Sequence, residues 1–223
     1  MLKLGIDDAG RGPVIGPMVL AGCLIKEEDE KYFKSLGVKD SKALTQKRRE
    51  FLELKIKEKV ETFEVVILHP LDIDGKSGEG INLNQQEAFA MAELINRMNK
   101  GFGKIKVLVD CPSVTISSWR DFLMTKISNL SNLEIVCEHK ADQNHVSVSA
   151  ASILAKCVRE REMEKLKQIY GEEIGTGYPS DPLTCKFLEK NALKHKDSGI
   201  FRKTWSSWRN ACNNIQQRTL YEI

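Results

Sequence analysis

The stretch GIDDAGRGP, residues 5–13, decides how the rest of the chain is read. Leu2–Asp7 is short, apolar and ends in acids, which predicts a strand, and the glycines at 10 and 12 predict a turn directly after it. Successive strand side chains alternate between faces, so Asp7 and Asp8 point the same way only if the strand is already bending into Gly10, Arg11 and Gly12. Either acid alone does no more than cap a turn. The pair becomes a site only if further carboxylates converge on it.

Outward from this stretch, Val14–Ile25 is rich in apolar residues and predicts a second strand, interrupted by Gly16, Pro17 and Gly22. Glu27–Leu36 and Thr45–Val60 have helical spacing, the second with Thr45 as N-cap, and Glu64–Leu68 returns to strand character. Pro70 and Gly75–Gly80 mark a loop. Asn84–Met98 carries Ala88, Met91, Ala92, Ile95 and Met98 on one stripe and predicts a strong helix. Lys104–Asp110 predicts a buried strand, Trp119–Ile127 a helix, Leu133–Cys137 a strand, and Val148–Tyr170 a long helix whose first half is apolar on most sides. Gly175–Pro182 is turn-rich, and Asp181 before Pro182 supplies an N-cap with proline at the first helical position.

Composition narrows the classes. The chain has 223 residues, 41% hydrophobic and 29% charged, enough for one large domain, or one domain with an appendage, and unlike a disordered chain. A net charge of +3 does not announce a nucleic-acid binder, so a basic surface must come from clustering. From Lys186 onward eight Lys or Arg face three acids, with Trp205 and Trp208 among them. The six cysteines occur singly, without zinc-site pairs, and read as reduced packing residues. No secretory segment and no run of membrane-spanning length is read, so a cytoplasmic protein is expected.

Two more acids stand where ligands collect in open sheets. Asp110 closes an apolar strand, with Cys111 and Pro112 ending the ladder, and Asp142 follows the next strand and precedes the long helix. As a plain structural residue, Asp142 would be an N-cap or loop acid. Crowded carboxylates repel one another and persist mainly where cations neutralise them. Hard oxygen ligands without His or Cys favour magnesium or manganese over zinc. Two such ions roughly 4 Å apart would activate a water on one side of a phosphorus and stabilise the leaving oxygen on the other, giving in-line hydrolysis of a phosphodiester.

The segments GIDDAGRGP (5–13), DSK (40–42), VD (109–110), HKAD (139–142), SAASILAK (149–156) and GTGYPSDP (175–182) together resemble ribonuclease HII, in the archaeal single-chain form. The resemblance spans most of the chain. It implies an α/β, ribonuclease H-like mixed sheet flanked by helices, with residues 1–180 as catalytic domain and 181–223 as a helical substrate-binding extension. The implied activity is endonucleolytic: hydrolysis of the RNA strand of RNA/DNA hybrids and cleavage at single ribonucleotides embedded in duplex DNA, leaving 3'-hydroxyl and 5'-phosphate. The implied ligands of two Mg2+ or Mn2+ ions are Asp7, Asp8, Asp110 and Asp142. The implied substrate contacts are Gly10, Arg11 and Gly12 at the 2'-hydroxyl, Tyr178 on the sugar at the RNA-to-DNA junction, and Lys42 near the scissile phosphate. A monomer is expected from the resemblance and the absence of a coiled-coil seam.

The physics of these assignments is consistent. A 2'-hydroxyl distinguishes RNA from DNA, and glycines let main-chain polar groups approach a sugar. A lysine offers a compact charge to a phosphate. As ordinary residues, Tyr178 would be a half-buried turn aromatic and Lys42 a solvated helix-end lysine. Lys156 and Arg159 would meet the substrate backbone or pair with Glu160 and Glu162 on the surface. Arg202, Lys203 and Arg209 suit duplex-backbone contact, whereas Trp205 and Trp208 are better read as docking a terminal helix. His139 and His145 receive no role.

One position departs from the family pattern, which has Glu where this chain has Asp8. The charge and oxygens are kept, but the carboxylate is withdrawn by one methylene, and misplacements of about 1 Å can cost on the order of a hundredfold in rate. The alternative is therefore a hybrid- or junction-binding protein that cuts poorly. A resolvase-like endonuclease is a third possibility, and it would need neither the glycine-arginine-glycine turn nor Tyr178.

Overall fold

The apolar runs become Leu2–Ala9 (β1), Met18–Lys26 (β2), Thr62–Leu68 (β3), Ile105–Asp110 (β4) and Leu133–Glu138 (β5) in the computed structural model, which describes residues 1–38 and 44–221. They form one sheet in the order β3-β2-β1-β4-β5. β1 runs antiparallel to β2 and parallel to β4, and β4 parallel to β5. All of β2 except Lys26 is buried, as expected of a strand covered on both faces. The mixed α/β sheet expected from the resemblance is the one observed.

The helices among the described residues are Glu30–Ser35 (α1), Gln46–Lys59 (α2), Pro70–Gly78 (α3), Leu83–Met98 (α4), Ile116–Met124 (α5), Ala141–Asn144 (α6), Val146–Tyr170 (α7), Pro182–Asn191 (α8) and Ser206–Tyr221 (α9). Their starts follow local capping chemistry. The Thr45 hydroxyl accepts from Arg48 N–H at 3.3 Å, Asn82 and Gln85 form a reciprocal capping box, and the Asp181 carboxylate accepts from Leu183 N–H at 3.0 Å ahead of Pro182. No helix among the described residues is long and apolar enough to cross a membrane.

Several elements differ from the sequence reading. Pro70–Gly78 is a helix, not a loop. His69 and Asp72 form a capping box with proline behind it, and the Asp74 carboxylate accepts from Lys203 N–H at 2.6 Å and Thr204 N–H at 3.1 Å. These partners are more than a hundred residues away, beyond any local signal. The second strand starts at Met18 rather than Val14, because Val14 and Ile15 N–H donate to Gly177 O, and Gly16, in the left-handed region at φ +85°, donates to Ile200 O. Helix α5 starts at Ile116, three residues earlier than the tryptophan suggested.

The chain divides into two compact units. One comprises Met1–Ala9, Val19–Val66 and Asn82–Val158; the other comprises Gly10–Met18, Ile67–Ile81 and Arg159–Ile223. The first is built on the sheet. A Cβ on Gly5 would fall 2.1 Å from the Ser147 carbonyl carbon, so β1 and the start of α7 touch backbone to backbone, and the small residues Ala150, Ala151 and Ala155 allow that approach. The second unit has its own apolar core, in which Ile15, Ile174, Phe187, Phe201 and Trp208 are buried together. Trp208 therefore docks the terminal helix, as its spacing suggested.

Candidate active site

In the first unit the register of the sheet gathers acids. Pairing of Ile6 with Val109 brings Asp7 level with Asp110 at the neighbouring carboxyl end of β4. The ladder between β1 and β2 runs unbroken through Asp7, Asp8 and Ala9. Asp7 is buried, only 5% exposed, and Asp8 is partly exposed.

Asp7 sits in an unfavourable field. Burial pushes its carboxyl well above the ordinary carboxylate range, and the charges of Asp8 and then Asp110 push it the same way. Hydrogen bonds from the Ser152 side chain and the Asp8 N–H, the latter at 2.8 Å, offset part of this. Ser152 comes from the SAASILAK block and was not singled out from the sequence. Its signal was the run of small residues that lets α7 press on β1.

Asp110 is held by the chain itself, its Oδ1 accepting from Ala141 N–H at 2.9 Å. That contact requires Lys140 to adopt the left-handed region at φ 58°, the one non-glycine residue to do so among those described. Asp142 follows on α6, 4% exposed, and its backbone carbonyl accepts from the Ser149 hydroxyl. Among the described residues, no three His, Cys, Asp or Glu side chains converge tightly enough to hold an ion as they stand. The donor set nonetheless suits a hard divalent cation. It offers oxygen ligands only, with one carboxyl that burial and two like charges leave in need of positive charge.

In the second unit the glycine turn is packed from inside. Gly10 is in the left-handed region at φ +84°, and a Cβ there would lie 2.3 Å from Arg159 Nε. Gly12 differs: it is exposed, and a Cβ would meet only the Tyr178 ring at 3.6 Å, an ordinary contact. The guanidinium of Arg159 lies 5.1 Å from the centre of the Tyr178 ring and donates to Thr176 O at 2.9 Å. Arg159 is 8% exposed, so it is neither a surface pair nor a solvent-facing phosphate contact as the sequence suggested. Gly10, Gly12, Arg159 and Tyr178 are thus one packed group. Arg202, read as a duplex contact, is instead fully buried. Lys42 lies outside the described residues, as does the rest of the DSK block.

The sequence model of the family described as Ribonuclease HII matches residues 4–208. A Ribonuclease HII of Methanococcus maripaludis strain C7 is 44% identical over 222 residues, covering 98% of this chain and 90% of the relative. Among solved structures, the ribonuclease H2 of Pyrococcus horikoshii OT3 superposes with a TM-score of 0.86 at 36% identity, covering 97% of this chain and 99% of that one. The ribonuclease HII of Archaeoglobus fulgidus, solved as a complex with PCNA, superposes with a TM-score of 0.81 at 37% identity, covering 92% and 96%.

Proposed function

The chain belongs to the ribonuclease HII family and is a ribonuclease H acting on RNA/DNA; from that premise we propose that it hydrolyses the RNA strand of hybrids and cuts at single ribonucleotides in duplex DNA, leaving 3'-hydroxyl and 5'-phosphate ends. The observation that carries this reading is the buried Asp7, whose carboxyl is raised by burial and by the neighbouring charges of Asp8 and Asp110. Such a site favours bound divalent cations. Asp7, Asp8, Asp110 and Asp142 would hold two Mg2+ or Mn2+ ions. When bound, these ions supply an activated water and charge stabilisation at the scissile phosphate.

The protein's own residues orient the substrate. The exposed Gly12 leaves a sugar room to approach main-chain groups, since no internal contact demands glycine there. Tyr178, 37% exposed and backed by Arg159, offers a ring face to the sugar at the RNA-to-DNA junction. Arg11 and Lys42 would meet phosphates. The exposed Lys186, Lys190, Lys194, Lys196 and Arg209 of the extension 181–223 would add sequence-independent backbone attraction.

A second reading, a protein that binds hybrids or junctions and cuts them poorly, is favoured by Asp8, one methylene short of the family Glu. One experiment separates the two. A DNA duplex carrying one ribonucleotide is incubated with the protein in Mg2+ and separately in Mn2+, beside Asp8→Glu. Cleavage by the parent supports the enzyme. Silence in both metals, with cleavage restored in Asp8→Glu, leaves the binding protein.

A further inference from the structure

The segment around Arg202 reaches back to the glycine turn with every donor type it owns. Arg202 Nη2 donates to Gly10 O at 2.6 Å and Nη1 to Arg11 O at 2.8 Å, while Nε and Nη2 donate to Gly16 O at 3.1 and 3.0 Å. Trp205 continues the series, its Nε1–H donating to Gly12 O at 3.3 Å while its ring lies 5.0 Å from the Arg202 guanidinium carbon. Three successive carbonyls of the turn are therefore held from one side by one short segment.

This fixes the turn beyond its carbonyls. Every peptide bond here is trans, and in a planar trans peptide the N–H points opposite the C=O. Holding Gly10 O and Arg11 O toward Arg202 turns the N–H groups of Arg11 and Gly12 to the other side. A cation on the carbonyl end also polarises each peptide and strengthens its N–H as a donor. Pro13 closes the series because it has no N–H.

We propose that Arg202 is a positioning residue for ribose recognition: it sets the direction and strength of the Arg11 and Gly12 N–H groups through the Gly10 and Arg11 carbonyls, while Trp205 only anchors the last carbonyl of the turn. The inference rests on the reading of the turn as the 2'-hydroxyl sensor. It gives the tail two roles, an exposed one toward the nucleic-acid backbone and a buried one in selectivity.

The test is carried out in full-length Asp110→Asn protein, so that binding is read without cleavage. Affinity in Mg2+ is measured for a DNA duplex with one ribonucleotide and for the all-DNA duplex. Arg202→Lys keeps the charge but loses the fork that serves three carbonyls, and the preference for the ribonucleotide duplex should fall about tenfold. Trp205→Phe keeps an aromatic ring and removes only the donor to Gly12 O, whose peptide carries no N–H, so both affinities should stay within about twofold. Arg209→Ala, an exposed tail cation, should weaken both duplexes alike.

An unchanged preference in Arg202→Lys overturns the proposal, as does equal weakening of both duplexes in Arg202→Lys, which makes Arg202 a plain backbone contact. If Arg202→Lys does not fold, Arg202→Gln, which keeps a neutral donor in place of the fork, decides by the same readings. Should Gly12→Ala lose the preference while the Arg202 variants keep it, the turn remains the sensor and Arg202 is not its support. A parent with no preference at all removes the sensor reading, and the inference falls with it.

Discussion

The strand-end acids and the glycine turn are joined by the single peptide bond from Ala9 to Gly10, yet their electrostatics are opposite. At Asp7 a buried carboxyl is surrounded by more negative charge and is only partly relieved by Ser152 and one N–H. At the turn, carbonyls that would be costly to bury are satisfied by the Arg202 guanidinium and the Trp205 indole. The first region is incomplete by itself and calls for a cation. The second is already assembled, so its cost of ordering is met before any substrate arrives. A nuclease that must choose ribose needs rigid recognition, whereas one that must cycle through hydrolysis needs a charge deficit that ions can enter.

The largest break in this contrast is expected from Asp110→Asn. Removing one charge of the cluster should lower cleavage of a ribonucleotide-containing duplex by about a thousandfold or more, with affinity roughly intact, because on the proposed reading the cluster holds the ions that would stabilise charge at the phosphate. Single-turnover cleavage and a binding titration check this; unaltered turnover removes Asp110 from the site.

Gly10 and Gly12 sharpen the other side. Gly10→Ala places a Cβ against Arg159 at a left-handed position and should cost about 2–4 kcal/mol in denaturant unfolding. Gly12→Ala should stay within about 0.5 kcal/mol and instead lose ribose preference. Equal destabilisation by the two would mean the turn is packed alike throughout.

Asp7→Asn tests whether the cluster stores repulsion. The folded carboxyl is raised, so its protonated form is the favoured one: in metal-free protein that stability is present at low pH and is lost as pH rises from the ordinary carboxylate range through the raised value. At neutral pH without metal, Asp7→Asn should therefore gain about 1–3 kcal/mol, the scale of an uncompensated buried group, and should lose the stabilisation that Mg2+ or Mn2+ gives the parent. Thermal melts with and without EDTA read both. A variant less stable than the metal-free parent contradicts the stored repulsion.

The smallest effect is expected at Lys140. Glycine relieves its left-handed backbone, so Lys140→Gly should be stabilising by up to about 1 kcal/mol without disturbing the Ala141 N–H bond to Asp110. Destabilisation instead would show that the exposed lysine side chain does more than occupy the turn.

Much of this was legible in local chemistry. Thr45 and Asp181 cap the helices they were read to cap, the apolar stripe of Asn84–Met98 is buried, and the acids at residues 7, 8 and 110 stand at the carboxyl ends of strands. Such features depend on neighbours a few residues away, and periodicity or spacing records them. Arg159 and Arg202 show where that record stops. Both read as surface cations, since nothing within a helical turn of either announces a run of backbone carbonyls waiting to be paired.

What the sequence alone determined was therefore the inventory: the strands, most of the helices, the family, and the acids and glycines that chemistry would need. What only the tertiary structure decided was the direction of each group. A helix where Pro70–Gly78 looked like a loop and a buried Arg202 whose bonds span up to 192 residues both depend on long-range partners. A charge is written into a residue's identity, but whether it faces solvent, an ion or a peptide carbonyl is set by what the folded chain places opposite it.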